Sequence, residues 1–258
     1  MRPALSTARA GGQFAATLLA ATLLAAPAIA QEGQLPHPGW SFSGPFGTFD
    51  RAAAQRGFQI YKEVCSNCHS LKEAYYRNLE GIGLSEEQVK AVAASVTVPT
   101  IGDDGQPAER PALPSDHFKS PFANDKAARA ALNGALPPDL SVIVKAREGG
   151  PDYVYGVLTG YGEPPAGMKM GDGMNYNRVF PGHQIAMPQP LQADQVQYSD
   201  GTKPTLDQEA HDVVTFLTFI ANPEMESRKQ IGVKIILFLA MLTGITYVVK
   251  RRVWSDVH

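Results

Sequence analysis

The sequence holds only two cysteines, and both fall in one short run, Cys65-Ser66-Asn67-Cys68-His69. Cys-x-x-Cys-His is the spacing of c-type haem attachment. On a helical turn the two thiols reach the two vinyl groups of a single haem and form thioethers. His69, next in the chain, is then held beneath the iron as proximal ligand. Such a tether keeps the group bound even where its pocket is partly open. Competing chemistries lack support. A thioredoxin-like redox pair calls for a βαβ setting, which the sequence does not offer. A structural zinc site needs four ligands, and there is no second cysteine pair. Two cysteines in a long exported chain make no disulfide framework. The run predicts one covalently attached haem c and points to single-electron transfer.

Iron in an electron-transfer haem takes a sixth ligand, most often methionine, whose soft thioether favours the ferrous state. Met1 falls in a leader, Met225 follows the last soluble helix and Met241 sits in an apolar C-terminal stretch. Met168, Met170, Met174 and Met187 remain. Pro188 and Pro190 stiffen the chain around Met187, whereas Met168 and Met170 equally suit gap-filling in a core. His183 is a rival, since bis-histidine haems exist. The residues alone leave this choice open. His37, His117, His211 and His258 have no such context and read as ordinary surface histidines.

The elements that must position these groups read as mainly α and loop-rich. With 44% hydrophobic and 19% charged residues in 258, the chain suits one globular domain plus membrane-related segments. A net charge of −2 and no recurring basic tract exclude a nucleic-acid footprint. Arg2 and Arg9, the apolar run Phe14 to Ala26 and the small residues Ala28-Ile29-Ala30 form a cleavable signal peptide over residues 1–30. Residues 31–227 are then the exported haem domain. Ile231 to Val249 is almost wholly apolar, about the length that crosses a bilayer. Residues 228–250 therefore read as a single anchor and 251–258 as a cytoplasmic tail. Lys250, Arg251 and Arg252 after the span agree with the positive-inside rule, placing the haem domain in the periplasm.

Within the domain, Thr48 or Asp50 caps a helix that runs to the cysteines, weakened slightly by Gly57. Ser85 and Gln88 form a capping box, as do Thr205 and Gln208. Asn124 caps a short helix that Gly134 ends. Short helices are expected over 140–147 and 152–161. The stretches 96–119 and 162–191, dense in Pro and Gly, read as irregular, and no strand pattern stands out.

Taken together, these residues resemble the cytochrome c1 family, the haem subunits of the cytochrome bc1 complex (quinol:cytochrome c oxidoreductase). The likeness spans nearly all the exported chain. It runs through Arg56-Gly57-Phe58, Tyr61-Lys62-Glu63-Val64-Cys65 and the block Asn133-Gly134-Ala135-Leu136-Pro137-Pro138-Asp139-Leu140-Ser141. It continues through Asp152-Tyr153-Val154-Tyr155, Asn175-Tyr176-Asn177 and Ile185-Ala186-Met187-Pro188 to Arg228-Lys229 at the membrane entry. The attachment motif is common to all c-type cytochromes. The Pro-Pro-Asp-Leu-Ser block, the Met-Pro strap and the C-terminal anchor are far more specific.

The resemblance implies that Met187 is the axial methionine. It implies that Arg147 pairs with a haem propionate, that Asn133 and Tyr153 line the pocket, and that Pro138 packs on the haem plane. It further implies cytochrome b and a Rieske iron–sulfur protein as partners, the latter as electron donor, and a soluble c-type cytochrome as acceptor. Two departures stand out. His183 is not usual at its position. Some bacterial members also brace the strap with an extra cysteine pair, which this chain lacks, so packing and proline must hold it. Glu80, Glu86, Glu87, Asp103 and Asp104, in regions read as surface, form a candidate docking group for a basic cytochrome. Two alternatives are another membrane-anchored c-type cytochrome, feeding a terminal oxidase or reaction centre, and a haem sensor or peroxidase-like enzyme with an open iron site.

Overall fold

The computed structural model describes residues 35–256. The signal-peptide reading and His258 lie outside them. Helix α1, Arg51–Glu63, starts at Asp50, whose carboxylate accepts the Ala53 amide. It buries Ala53, Ala54, Gly57, Phe58, Ile60 and Tyr61, one face at helical spacing. A 3₁₀ turn, Cys65–Asn67, continues it. After a second 3₁₀ segment, Tyr76–Ile82, comes α2, Glu86–Ala94, with the Ser85/Gln88 box formed in both directions. Helix α3, Asp125–Ala131, is capped by Asn124. Helices α4, Ile143–Ala146, and α5, Gly150–Thr159, follow.

Helix α6, Leu206–Ala221, is the centre of the domain and is buried almost all round, with Phe216, Val213, Val214 and Ala210 at no more than 1% exposure. It packs against α1, α4 and α5. Thr205 caps it as expected, but the return half of that box is not made. Gln208 turns instead to Asp212, a carboxylate with no exposed surface. Arg56 on α1 completes the shell, bonding Asp212 at 2.7 and 3.0 Å and Asp200 at 2.8 Å. A buried charge survives only with such partners.

Gly57 is placed by this same crossing. A methyl group there would overlap the Asp212 carbonyl oxygen and come within 2.8 Å of Phe216 Cβ. The residue that costs α1 some helix propensity lets two backbones meet.

Two antiparallel ribbons correct the expectation of irregular chain. Strands β1, Thr97–Ile101, and β2, Pro107–Pro111, pair from Thr97↔Pro111 to Ile101↔Pro107 around a turn at Gly105. Each strand has a free edge, so Pro99, Pro107 and Pro111 cost no central ladder bond. Strands β3, Asn175–Tyr176, and β4, Gln184–Ile185, form the second, very short ribbon.

Helix α7, Met225–Val253, carries a window of mean hydropathy 2.0, none of it buried against the protein, and is long and apolar enough to cross a membrane. Its first turns are tied to the start of the domain. Glu226 accepts the Phe49 amide and pairs twice with Arg51, and Lys229 donates to the carbonyls of Phe42 and Gly47.

Candidate haem site

The 3₁₀ turn after α1 puts the two cysteines and His69 on one local structure. The amides of Cys68 and His69 both donate to the Cys65 carbonyl, at 3.1 and 2.9 Å. Neither cysteine is in a disulfide. Burial, reinforced by Cys68, pushes the Cys65 thiol up to about 12, so it stays protonated. His69 Nδ1 lies 2.8 Å from the Pro138 carbonyl oxygen. A carbonyl can only accept, so Nδ1 carries the hydrogen and Nε2 keeps its lone pair. Burial lowers the imidazole's proton affinity, against the opposing pull of the Pro138 carbonyl and Asp139. A neutral imidazole with Nδ1 bonded and Nε2 available is what an iron ligand requires. Tyr61 on α1 donates its hydroxyl to the His69 carbonyl at 3.2 Å. Two unpaired thiols and this imidazole on one turn fit a covalently held haem.

The Pro138 carbonyl is itself held. Asp139 Oδ2 accepts from Ser70 Oγ at 2.7 Å and from the Lys72 amide at 2.8 Å, and Oδ1 accepts the Ser141 amide at 2.9 Å. Buried Ser141 accepts the Glu73 amide, and the Leu140 amide donates to the Ser70 carbonyl. Burial pushes the Asp139 carboxyl up, but hydrogen bonds from Ser141, Lys72 and Ser70 outweigh it and hold it below the ordinary carboxylate range. The turn after His69 and the turn after Pro138 are thereby stitched together. Sequence reasoning singled out Pro138 as a packing surface and overlooked this use of its carbonyl, and of Asp139. The signal was present: an Asp two residues before a Ser, after two prolines, suits an Asx turn.

Met187 sits half-buried at the end of the second ribbon. Its carbonyl accepts Tyr161 Oη at 3.1 Å and Asn175 Nδ2 at 3.4 Å. Behind it lies Asn177, fully buried, whose Nδ2 donates to Val157 on α5 at 2.7 Å while Oδ1 accepts the amides of Val179 and Phe180. Main-chain pairing of Tyr161 with Asn177 fixes the loop to the end of α5. The strap is therefore braced by amide and hydroxyl side chains on backbone groups, in addition to proline and packing. Tyr161, Asn175 and Asn177 had no assigned role in the sequence reading.

His183 lies exposed at the far end of that ribbon with φ 58°, its ring tilted over Tyr176 and its Nδ1 3.3 Å from the Asn177 carbonyl. Arg147 ends α4 and is exposed, and among the described residues its guanidinium bonds only the Ala146 carbonyl. Tyr153 is half-buried on α5; burial pushes its phenol up while the nearby Arg147 charge opposes. Asn133 is exposed in the left-handed region at φ 50°, where α3 ends before Gly134. No hydrogen bond joins Met187, Arg147, Tyr153 or Asn133 to the His69 turn among the described residues. His211 departs from the surface reading: its ring stacks on Trp40 at 5.0 Å. The five acidic residues of the docking group are all exposed, Asp103 and Asp104 at the tip of the first ribbon.

The family model described as Cytochrome C1 family matches residues 40–257. A protein named cytochrome c1 from Rhodospirillum rubrum is 46% identical over 235 residues, covering 84% of this chain and 86% of its own. The mitochondrial cytochrome c1 haem protein of Saccharomyces cerevisiae is 47% identical over 220 residues, covering 84% of this chain and 71% of its own. A Candida albicans protein named as the mitochondrial cytochrome b-c1 complex catalytic subunit is 46% identical over 220 residues, covering 84% of this chain and 76% of its own.

Proposed function

The chain belongs to the cytochrome c1 family, and from that premise we propose that it is the haem subunit of a cytochrome bc1 complex. It takes electrons from a Rieske iron–sulfur protein and passes them to a soluble c-type cytochrome. The haem c of this family, when bound, supplies the one-electron couple. Cys65 and Cys68 would hold it covalently, and His69 Nε2 and Met187 would ligate its iron, a pairing suited to a high-potential couple. Arg147 would neutralise a propionate, Asn133 and Tyr153 would line the pocket, and Pro138 would pack on the haem plane. The domain, residues 31–227, faces the periplasm, with 228–250 as anchor alongside cytochrome b and 251–258 on the cytoplasmic side. The acidic residues Glu80, Glu86, Glu87, Asp103 and Asp104 steer a basic acceptor and give its reduction a salt dependence.

One observation carries this reading: a neutral imidazole bonded through Nδ1 to a carbonyl, on the same turn as two unpaired cysteines. Gentle purification from membranes tests it. A c-type haem that resists acid extraction, together with a b-type cytochrome, a Rieske protein and inhibitor-sensitive quinol oxidation, is the expected result. An intact preparation free of both partners overturns it. Carbon monoxide binding by the native reduced protein would favour an open iron site over Met187 ligation.

A further inference from the structure

We propose that Asp139 is a positioning residue for the haem iron: by clamping the turn after His69 to the turn after Pro138, it fixes the Pro138 carbonyl against His69 Nδ1. This rests on His69 being the axial ligand. Proline has no amide hydrogen with which to anchor itself, so its carbonyl is aimed by the residue that follows. That residue is Asp139, and its carboxylate spans both turns, with Ser70 Oγ at 2.7 Å and the Lys72 amide at 2.8 Å on one oxygen and the Ser141 amide at 2.9 Å on the other. The clamped product is the 2.8 Å contact between His69 Nδ1 and Pro138 O.

The consequence is electronic as well as mechanical. A hydrogen bond from Nδ1–H makes Nε2 a better donor and fixes the ring's orientation. A better donor favours the ferric state, and hydrogen bonding around a ligand is one of the protein's levers on haem potential. Loosening the clamp therefore shifts the equilibrium toward the ferrous form. Removing a negative charge near the iron has the same sign, so the test must separate position from charge. Ser70→Ala does this, since it deletes one clamp bond and no charge.

Redox titration and low-spin ferric EPR on the membrane-bound complex provide the readouts, for Ser70→Ala, Asp139→Asn and Asp139→Ala. The g values report ligand field and ring orientation, which a generally destabilised but correctly ligated site leaves in place. Expected is a rise in the ferrous-to-ferric ratio at fixed ambient potential of about threefold for Ser70→Ala and about tenfold, or about 59 mV, for Asp139→Ala. Asp139→Asn, which keeps one accepting oxygen, falls between them, and the g values move in step. Should Asp139→Ala fail to assemble, the other two variants carry the comparison. A wild-type potential and wild-type g values in Ser70→Ala overturn the proposal, as does an Asp139→Asn shift equal to that of Asp139→Ala. A failure of the ligation reading looks different: His69→Leu would then keep the wild-type low-spin signal.

Discussion

The chain around His69 and the chain around Met187 are held by different chemistry. The His69 turn grows directly out of α1, which meets α6 at glycine distance, and it is clamped by an ionised carboxylate with three donors. The Met187 strap ends a long loop with a two-residue ribbon and is held by neutral amides and hydroxyls. Charge-assisted bonds are about twice as strong as neutral ones. Under the proposed ligation, the difference teaches where the site should give way first: thiols and clamp brace the His69 side more firmly than neutral bonds brace the strap. Iron ligation by methionine should therefore be lost before the histidine side is disturbed.

Asn177→Ala is the strongest test of that ranking. It removes the bond to Val157 and leaves the Val179 and Phe180 amides without their acceptor inside the protein. The expected loss of stability is about 3 kcal/mol, given the cost of unsatisfied buried groups. Denaturant titration measures it. Carbon monoxide binding to the reduced protein should rise while both thioethers and His69 ligation persist. No gain in carbon monoxide binding would mean that the strap does not depend on this brace.

Gly57→Ala probes the other side. The added methyl overlaps the Asp212 carbonyl, so α1 and α6 must separate, at a cost of about 1–3 kcal/mol for overpacking. The thermal midpoint should fall, with carbon monoxide binding below it unchanged. Selective loss of methionine ligation in this variant would erase the distinction between the two sides.

The two sides also differed in how far the sequence revealed them. Cys65, Cys68 and His69 are adjacent, so their chemistry is written in local spacing. Ser85, Asn124 and Asp50 announce helix starts because a cap acts within three residues. The turn from Asp139 to Ser141 is local and legible, but the Asp139 bonds to Ser70 and Lys72 and the Tyr161 and Asn175 bonds join separate segments, and no local pattern encodes them. Ribbon β1–β2 was hidden by its prolines, which depress strand propensity yet are harmless on open edges. Gly57 read as a weak point because the helix it meets begins some 150 residues later.

Glu209, which holds the Val196 amide, links folding stability to pH. On α6 it has no exposed surface; Oε1 accepts the Val196 amide at 3.3 Å and, among the described residues, Oε2 has no partner. Burial pushes its carboxyl above the ordinary value, against the Val196 bond and with help from Asp194 and Asp212. The folded state then binds the proton more tightly than the unfolded one. Stability is full below the ordinary carboxylate pKa and declines as pH rises from there through the raised folded value. Glu209→Gln should flatten that decline and gain on the order of 1–2 kcal/mol at neutral pH, the cost of an unsatisfied buried group. Unfolding curves at several pH values check it, and a variant less stable than wild type across the whole range contradicts the assignment.

Tyr161→Phe makes the smallest change and the most specific one. It deletes a single hydroxyl and with it the 3.1 Å bond to the Met187 carbonyl, while the main-chain pairing of Tyr161 with Asn177 stays. One neutral hydrogen bond is worth about 1 kcal/mol net, so global unfolding should barely move. The strap alone loses that energy, because Asn175 then holds the carbonyl by itself at 3.4 Å. A change of about 1 kcal/mol in the closed-to-open balance is roughly a fivefold change in open population, and an external ligand for ferric iron, such as imidazole, should bind about fivefold more tightly. Ser70→Ala also removes one hydroxyl bond, from the clamped side, and should leave imidazole affinity unchanged while moving the potential. If both variants gain imidazole affinity equally, the two sides of the site yield together and the contrast between them fails.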